Sequence, residues 1–199
     1  MASTSASSHL APGYLVAAPA LRDPNFSGTL VLMAGHRREG AMGFVVNRPA
    51  PLSAPALLDN VDARLAALAR ARSGAEVPVL VGGPVAGDQL WILHRRSRSL
   101  PDDGEGVLVG RHLALGSSLP LLEALLRAED PGPFLLLVGY AGWAPLQLEN
   151  EIAHGAWVPM EFAEDLAFTV PVASRWEEAV RRLGLDPAGF AVGGGGAMA

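Results

Sequence analysis

The 199-residue chain contains no cysteine. It can therefore form no disulfide, no thiolate nucleophile, no cysteine-ligated zinc site and no iron–sulfur cluster. It also contains no lysine, since all fifteen strongly basic side chains are arginine. This removes the lysine that phosphate-binding loops, protein kinases and Schiff-base enzymes require. Enzymes of these classes are excluded before any motif is considered.

Long apolar runs and an excess of positive charge are also missing. No apolar run approaches the roughly 18 residues that a membrane-spanning helix needs, so we expect no membrane partner. The net charge of -5 and the sequence pI near 5.5 disfavour direct DNA binding, for which a basic face is typical. The strongest basic run is HRRSR at residues 94–98, and we interpret it as a solvated loop after a strand.

The remaining composition is that of a globular protein, with 50% hydrophobic and 18% charged residues. Residues 1–12 lack the basic and apolar regions of a signal peptide and are predicted to form a disordered N-terminal lead. Residues 13–192 are long enough for one domain with a substantial core. Residues 193–199 are predicted to form a flexible glycine-rich tail.

Strand and helix patterns are mixed along the chain without regular βαβ units. Apolar runs predict strands at residues 14–18, 29–34 and 41–47, with a polar hairpin loop at residues 35–40 between the last two. The strongest predicted strand is the continuous apolar run at residues 134–140. Interspersed hairpins and helices favour an α+β fold with a mixed or antiparallel sheet.

Two of the predicted helices have specific boundary signals. Pro145 suits the first turn of a helix over residues 146–154. Ser174 and Glu177 have the spacing of a capping box at the start of the last predicted helix. Gly184 can supply the left-handed residue that ends it, with Leu185 completing a Schellman motif.

Aromatic residues are scarce, at 6% of the chain, and they are concentrated in one segment. Residues 139–158, GYAGWAPLQLENEIAHGAWV, hold two of the four tryptophans and one of the two tyrosines. Bulky rings beside flexible glycines are typical of a shaped junction between elements. We therefore expect Trp143 and Trp157 to be buried and to shape the junction after the predicted strand at 134–140.

Motifs for phosphate and metal chemistry are weak. GGPVAG at residues 82–87 follows a strand and could hold phosphate, but it lacks the GxGxxG spacing and precedes another strand, so a plain turn is favoured. Glu151 and His154 form an E-x-x-H pair, but a di-iron site needs a second copy, which the sequence lacks. No HxH or HExxH motif occurs among the five histidines. We expect no metal, no cofactor and no catalytic residue recognisable from a motif.

Polar side chains at the edges of apolar strands are the remaining candidates for a binding site. Small pockets are lined in this way, where tight backbone meets a few polar groups. The candidate binding residues are Asn47, Arg48, Tyr140, Trp143, Gln147 and Glu151. A structural alternative stays open, in which Arg48 neutralises Glu149 or Glu151.

Four segments together resemble one bacterial family, YqgE/AlgH. They are APGYLVAAPALRDPNFSGTLVLMAGHRREGAMGFVVNRP, VLVGGPVAGDQLWILH, LLLVGYAGWAPLQLENEIAHGAWV and RWEEAVRRLGLDPAGFAVGGGGAMA. Their order is that of the family and they cover nearly the whole chain; Ala144-Pro145 departs from the small residues more usual there. The resemblance implies a cytosolic bacterial protein with an α+β domain, in which a mixed, bifurcated β-sheet folds into a pseudo-barrel with flanking helices.

The resemblance implies no biochemical activity, although some relatives are labelled transcriptional regulators. The function favoured by the sequence is a non-catalytic binding or regulatory module for an unknown protein or small-molecule partner. An enzyme with a pocket near Asn47 and residues 139–151 is the alternative, and a transcriptional regulator is a further one. Convergence in one concave pocket would favour the enzyme, and the residues concerned are Asn47, His94, Tyr140, Gln147 and Glu151. Scattering of these five residues, with an exposed apolar patch instead, would favour the binding module.

Overall fold

The computed structural model of the chain describes residues 10–72, 76–98, 100–101 and 106–192. Most of the N-terminal lead and the glycine-rich tail, residues 1–9 and 193–199, lie outside the described residues. Leu10 and Ala11, at the end of the predicted lead, are half-buried against apolar side chains of the domain.

The described residues form an α+β fold around a nine-stranded sheet, which confirms the predicted fold class. The strands are β1 Gly13–Ala17, β2 Leu30–Arg37, β3 Gly40–Val45, β4 Val79–Val81, β5 Val85–Arg95, β6 Val107–Val109, β7 Leu113–Gly116, β8 Phe134–Trp143 and β9 Trp157–Glu161. Their order is β6-β7-β5-β8-β3-β2-β1-β9, with β4 beside β8. The β4–β8 pair is parallel and all other pairs are antiparallel.

The sheet divides at β8, the long strand that both halves share. The first half of β8 pairs with β4 and β5, whereas residues 141–143 pair with β3. Leu80 of β4 also forms an isolated β-bridge with Pro49, in the segment that follows β3. Strand β4 therefore lies between β8 and this segment. The sheet is therefore bifurcated, and it does not close into a barrel, because β6 and β9 end the strand order.

Glycine backbones make the division possible at Gly139 and Gly83. Gly139 has φ +71°, and a Cβ there would lie 2.6 Å from the carbonyl oxygen of Gly83. A Cβ on Gly83 would lie 2.2 Å from the carbonyl carbon of Tyr140. A Cβ atom is not tolerated at such distances. The backbones at positions 83 and 139 can therefore approach each other this closely only because both residues are glycine. The GGPV segment is thus a structural turn, and β5 begins at Val85, inside the predicted turn.

Seven α-helices and one 3-10 turn, Val172–Ser174, are found in the described residues. The helices are α1 Ala54–Leu58, α2 Ala63–Ala71, α3 Leu119–Arg127, α4 Gln147–Ala153, α5 Glu164–Phe168, α6 Arg175–Arg182 and α7 Pro187–Val192. In this part of the chain none of them has the length and apolar character to cross a bilayer.

The helices cover the sheet in three groups, each with its own apolar cluster. Helices α1 to α3 pack over β4, β5 and the first half of β8. Helices α5 and α6 cover the largest cluster, and α4 covers the third, which contains both buried tryptophans. Strand β1 is buried on both faces, since Tyr14 and Val16 point into the largest cluster while Leu15 and Ala17 point into the third.

Several predicted boundaries need correction. Residues 35–37 continue β2, so the predicted loop at 35–40 is only a tight turn, because these residues pair with β3. Pro145 precedes α4 instead of lying in its first turn. The Ser174 side chain makes no capping bond, since a 3-10 turn leads directly into α6.

The predicted stop of α6 is confirmed. Gly184 has φ +76°, and its N–H donates to Arg181 O at 2.9 Å. The Leu185 N–H donates to Val180 O at 3.2 Å, which completes the two bonds of a Schellman motif. A further helix, α7, follows and was not predicted.

Candidate functional site

The aromatic segment forms a buried junction, as predicted. Trp143 ends β8 and Trp157 begins β9, and they are 6% and 2% exposed. Their rings meet edge to face with centroids 6.0 Å apart. This geometry suits the negative ring face and positive ring edge of aromatic groups. The two strand ends are thereby held together although they are not neighbours in the sheet.

A single carboxylate satisfies the polar atoms of this junction. The indole N–H groups of Trp143 and Trp157 both donate to Glu151 Oε2, at 2.9 and 2.8 Å. Gln147 Nε2 donates to Glu151 Oε1 at 2.8 Å. We call these four side chains the tryptophan–glutamate network. Each tryptophan can be buried without an orphaned donor because helix α4 places Glu151 between them.

The network commits Glu151 to structure. Both carboxylate oxygens of Glu151 accept hydrogen bonds from other side chains of the protein. Gln147, which donates one of these bonds, also accepts the Ala144 N–H through Oε1 at 3.0 Å. His154, the other member of the E-x-x-H pair, donates from Nδ1 to Asn150 O at 2.7 Å. Within the described residues no group of three or more His, Asp or Glu side chains could hold a metal ion.

Phe26 completes the junction from a distant loop. Its ring lies 6.2 Å from that of Trp143 and 5.5 Å from that of Trp157. Sequence reasoning missed Phe26, although a lone aromatic within the turn-rich stretch DPNFSG is a signal that it has a packing partner.

Asn47 and Arg48 hold this loop in place. Asn47 accepts the Leu30 N–H at 2.8 Å and donates to Gly28 O at 2.9 Å. Arg48 donates to the carbonyl oxygens of Pro24, Asn25 and Ser27, at 3.1, 2.8 and 3.4 Å. The alternative of an ion pair from Arg48 to Glu149 or Glu151 is wrong, because the guanidinium is occupied by backbone carbonyls. Glu149 instead contacts His36, with 3.0 Å between Oε1 and Nε2.

The candidate residues therefore fall into separate places. Trp143, Gln147 and Glu151 meet in the network, whereas Asn47 and Arg48 reach it only through the Phe26 loop. Ala41 pairs with Trp143, and Asn47 lies six residues farther along, about 20 Å of extended chain. Tyr140 packs beside Phe44, at 6.5 Å between ring centroids.

His94 lies elsewhere, at the far end of β5 and in a cavity with Arg96 and His112. The five residues whose convergence would favour an enzyme are thus distributed over distinct parts of the fold.

The turn before α4 has an unusual backbone conformation. Leu146 has φ +64° and ψ −2°, in the left-handed region, and its side chain is 68% exposed. A bulky residue in this region is an outlier, and such outliers occur where surrounding contacts enforce them. Here the Gln147 N–H donates to Ala144 O at 3.1 Å while the Gln147 side chain accepts the Ala144 N–H. Nothing in the sequence indicates this conformation.

Comparisons with known proteins agree on one family. A family described as AlgH-like matches residues 14–188. A UPF0301 protein of Anaeromyxobacter dehalogenans is 61% identical over 190 residues, which are 96% of each chain. A UPF0301 protein of Ralstonia nicotianae is 37% identical over 188 residues, covering 94% of this chain and 95% of the relative.

Solved structures show the same fold. The solution structure of the AlgH protein from Pseudomonas aeruginosa matches with a TM-score of 0.72 at 28% identity, over all of both chains. A crystal structure from Corynebacterium diphtheriae matches with a TM-score of 0.67 at 19% identity, covering 92% of this chain and 90% of that one. The second likeness concerns the fold alone.

Proposed function

This chain belongs to the AlgH-like family, and we propose that it is a non-catalytic binding module that recognises a protein partner through residues 144–147. We call this segment the presenting turn. The observation that carries the proposal is Leu146, an apolar side chain held outward in a left-handed backbone conformation.

The left-handed conformation of Leu146 costs folding free energy, and burial of the Leu146 side chain does not compensate for it. A left-handed non-glycine residue costs about 1–2 kcal/mol, and a side chain 68% exposed recovers little by burial. The tryptophan–glutamate network enforces the turn from beneath, because Gln147 bonds both Ala144 and Glu151. A rigid, preformed projection loses little conformational entropy when it enters a partner.

The surroundings of the presenting turn indicate the chemistry of the partner. Gly142, Ala144, Pro145 and Leu146 are all exposed and none is charged. Val85, 38% exposed, lies beside them, because its register partner on β8 is Tyr140. An uncharged projection with an apolar tip fits an apolar socket on a protein.

The polar groups of the junction support binding over catalysis. Glu151 and Gln147 are used within the protein, and the other candidate polar residues, Asn47 and Arg48, hold a loop. Catalytic acids, bases and nucleophiles need atoms that can reach a substrate. A partner that approaches the presenting turn would meet a rigid projection with an apolar tip.

A pair of matched leucine variants tests the proposal. Leu146, in the turn between β8 and α4, is 68% exposed, and Leu108, on the edge strand β6, is 59% exposed. A photo-crosslinking residue at position 146 identifies the partner in the native cell, and calorimetry then measures the affinity of Leu146→Asp and Leu108→Asp. We expect Leu146→Asp to weaken binding by about a hundredfold, as for a central apolar contact, and Leu108→Asp to leave it unchanged. Equal affinities for the two variants would refute the presenting turn.

A second variant separates stability from recognition. Leu146→Gly removes about 1–2 kcal/mol of backbone cost and adds about 0.5–1 kcal/mol of unfolded-state entropy. We expect the variant to be more stable by roughly 0.5–1 kcal/mol in urea melts while binding its partner more weakly. A less stable variant would show that the Leu146 side chain contributes to the fold.

A further inference from the structure

A second feature lies far from the presenting turn, between α2, the start of β8 and helices α5 and α6. It is a cavity of about 300 Å³. The described residues around it include two arginines, Arg72 and Arg175, and apolar walls from Phe134, Ala167 and Phe168. A space of this size accommodates a small organic molecule.

Arg175 is the more unusual of the two arginines, because only 3% of it is exposed. Its Nε donates to Val170 O at 3.0 Å and its Nη1 to Val46 O at 2.6 Å. No carboxylate in the part of the chain that the structure describes forms an ion pair with Arg175. Burial lowers the pKa of the guanidinium to about 10, as expected for a cation removed from water.

Arg72 brings a second cation to the cavity, and one of its own donors is unsatisfied within the described part of the chain. Its Nη1 donates to Leu125 O at 3.3 Å, and its guanidinium carbon lies 5.4 Å from the centre of the Phe134 ring. Its Nε is buried and has no partner among the described residues. A buried donor without an acceptor costs about 1–3 kcal/mol, so Arg72 is incompletely satisfied in the folded protein, while Arg175 is a buried cation without a carboxylate partner among the described residues.

The sign of the missing partner follows from the charges present. Glu76 is the one carboxylate among the described lining residues, and it is exposed and makes no ion pair with either arginine. A buried cation without a counter-charge is strongly unfavourable. The guanidinium is planar with several N–H donors and is therefore suited to a carboxylate or a phosphate.

We infer that this cavity binds a small organic anion, with its carboxylate or phosphate group on Arg72 and Arg175 and its compact apolar part against Phe134 and Phe168. The site is independent of the presenting turn, and neither proposal requires the other. Binding stabilises the folded chain by mass action, because the anion supplies an acceptor for Arg72 Nε and a counter-charge for both arginines.

The test uses the full chain with benzoate and phenyl phosphate as probes and benzyl alcohol as the neutral control. Calorimetry in a buffer of low anion content gives the affinities, and thermal melts with each probe give a second readout. Arg72→Gln removes one cation at a partly exposed position, and Arg22→Gln is the matched control at an exposed arginine without a side-chain partner in the described residues. Arg175→Lys keeps the charge but loses the planar fork, and circular dichroism checks that it folds.

We expect saturable binding of at least one anionic probe, no binding of benzyl alcohol and unchanged affinity in Arg22→Gln. Arg72→Gln should weaken binding about tenfold or more, the usual loss for a hydrogen bond to a charged group. Tighter binding of benzoate than of phenyl phosphate, or the reverse, identifies the head group. Three results would each overturn the inference: equal affinities in Arg72→Gln and Arg22→Gln, equal binding of benzyl alcohol, or no binding of either anion tighter than about 1 mM.

Discussion

Replacing Glu151 with alanine is the most direct test of how the aromatic junction is held. The variant removes the acceptor for the Trp143 and Trp157 indole N–H groups and for Gln147 Nε2. Both indoles are at least 94% buried, and each orphaned buried donor costs about 1–3 kcal/mol. Gln147 is exposed and recovers its bond from water. The sum predicts a loss of about 2–6 kcal/mol, a large share of the roughly 5–15 kcal/mol that stabilises a typical domain.

The measurement is the free energy of unfolding from urea melts, followed by tryptophan fluorescence. Glu149→Ala is the matched control, because it removes a carboxylate from the same helix at an exposed position. Among the described residues the side chain of Glu149 makes one hydrogen bond, to His36. A pair whose carboxylate is exposed in this way contributes about 0–1 kcal/mol. For a chain of this length, a loss of 3 kcal/mol lowers the melting temperature by roughly 6–12 °C. If Glu151→Ala lost no more than Glu149→Ala, the network would not hold the junction.

Two further predictions concern the branch of the sheet and acid stability. Gly83→Ala should destabilise the protein by more than about 3 kcal/mol, because its Cβ would overlap the Tyr140 backbone, whereas Gly87→Ala, with no atom within 4 Å, should be nearly neutral. The hydrogen bonds from Arg182 hold the pKa of Asp165 below its ordinary 3.8. That stabilisation is present above pH 3.8 and is lost as the pH falls through the lower folded pKa, so Asp165→Asn should flatten the acid slope of stability in that window.

Much of the fold could be predicted because the signals are local. Continuous apolar runs located the strands β1, β2, β3 and β8 to within a few residues, and Gly184 marked the end of α6. The concentration of tryptophans predicted the buried junction. The errors have equally physical causes: pairing with β3 extended β2 into the predicted loop at residues 35–37, and the 3-10 turn before α6 left the Ser174 side chain without a capping role.

The candidate site was predictable only in part, because hydrogen bonds between different strands, helices and loops decide what each polar residue does. Glu151 is required by two indoles six and eight residues away, and Arg48 binds carbonyls more than twenty residues back. The sequence contains both residues but does not say which acceptor or donor each one meets.

The sequence by itself therefore determined the absence of cysteine and lysine chemistry, the family, the α+β fold class and the positions of the strongest strands and helices. Those properties depend on side-chain chemistry and on periodicities a few residues long. Only the tertiary structure decided that β8 divides between two halves of the sheet, that Leu146 is forced outward and that Arg72 and Arg175 meet at one cavity. The division of the sheet and the cavity arise where segments distant in sequence approach each other. The Leu146 turn is held by hydrogen bonds among Ala144, Gln147 and Glu151, for which the sequence has no recognisable pattern.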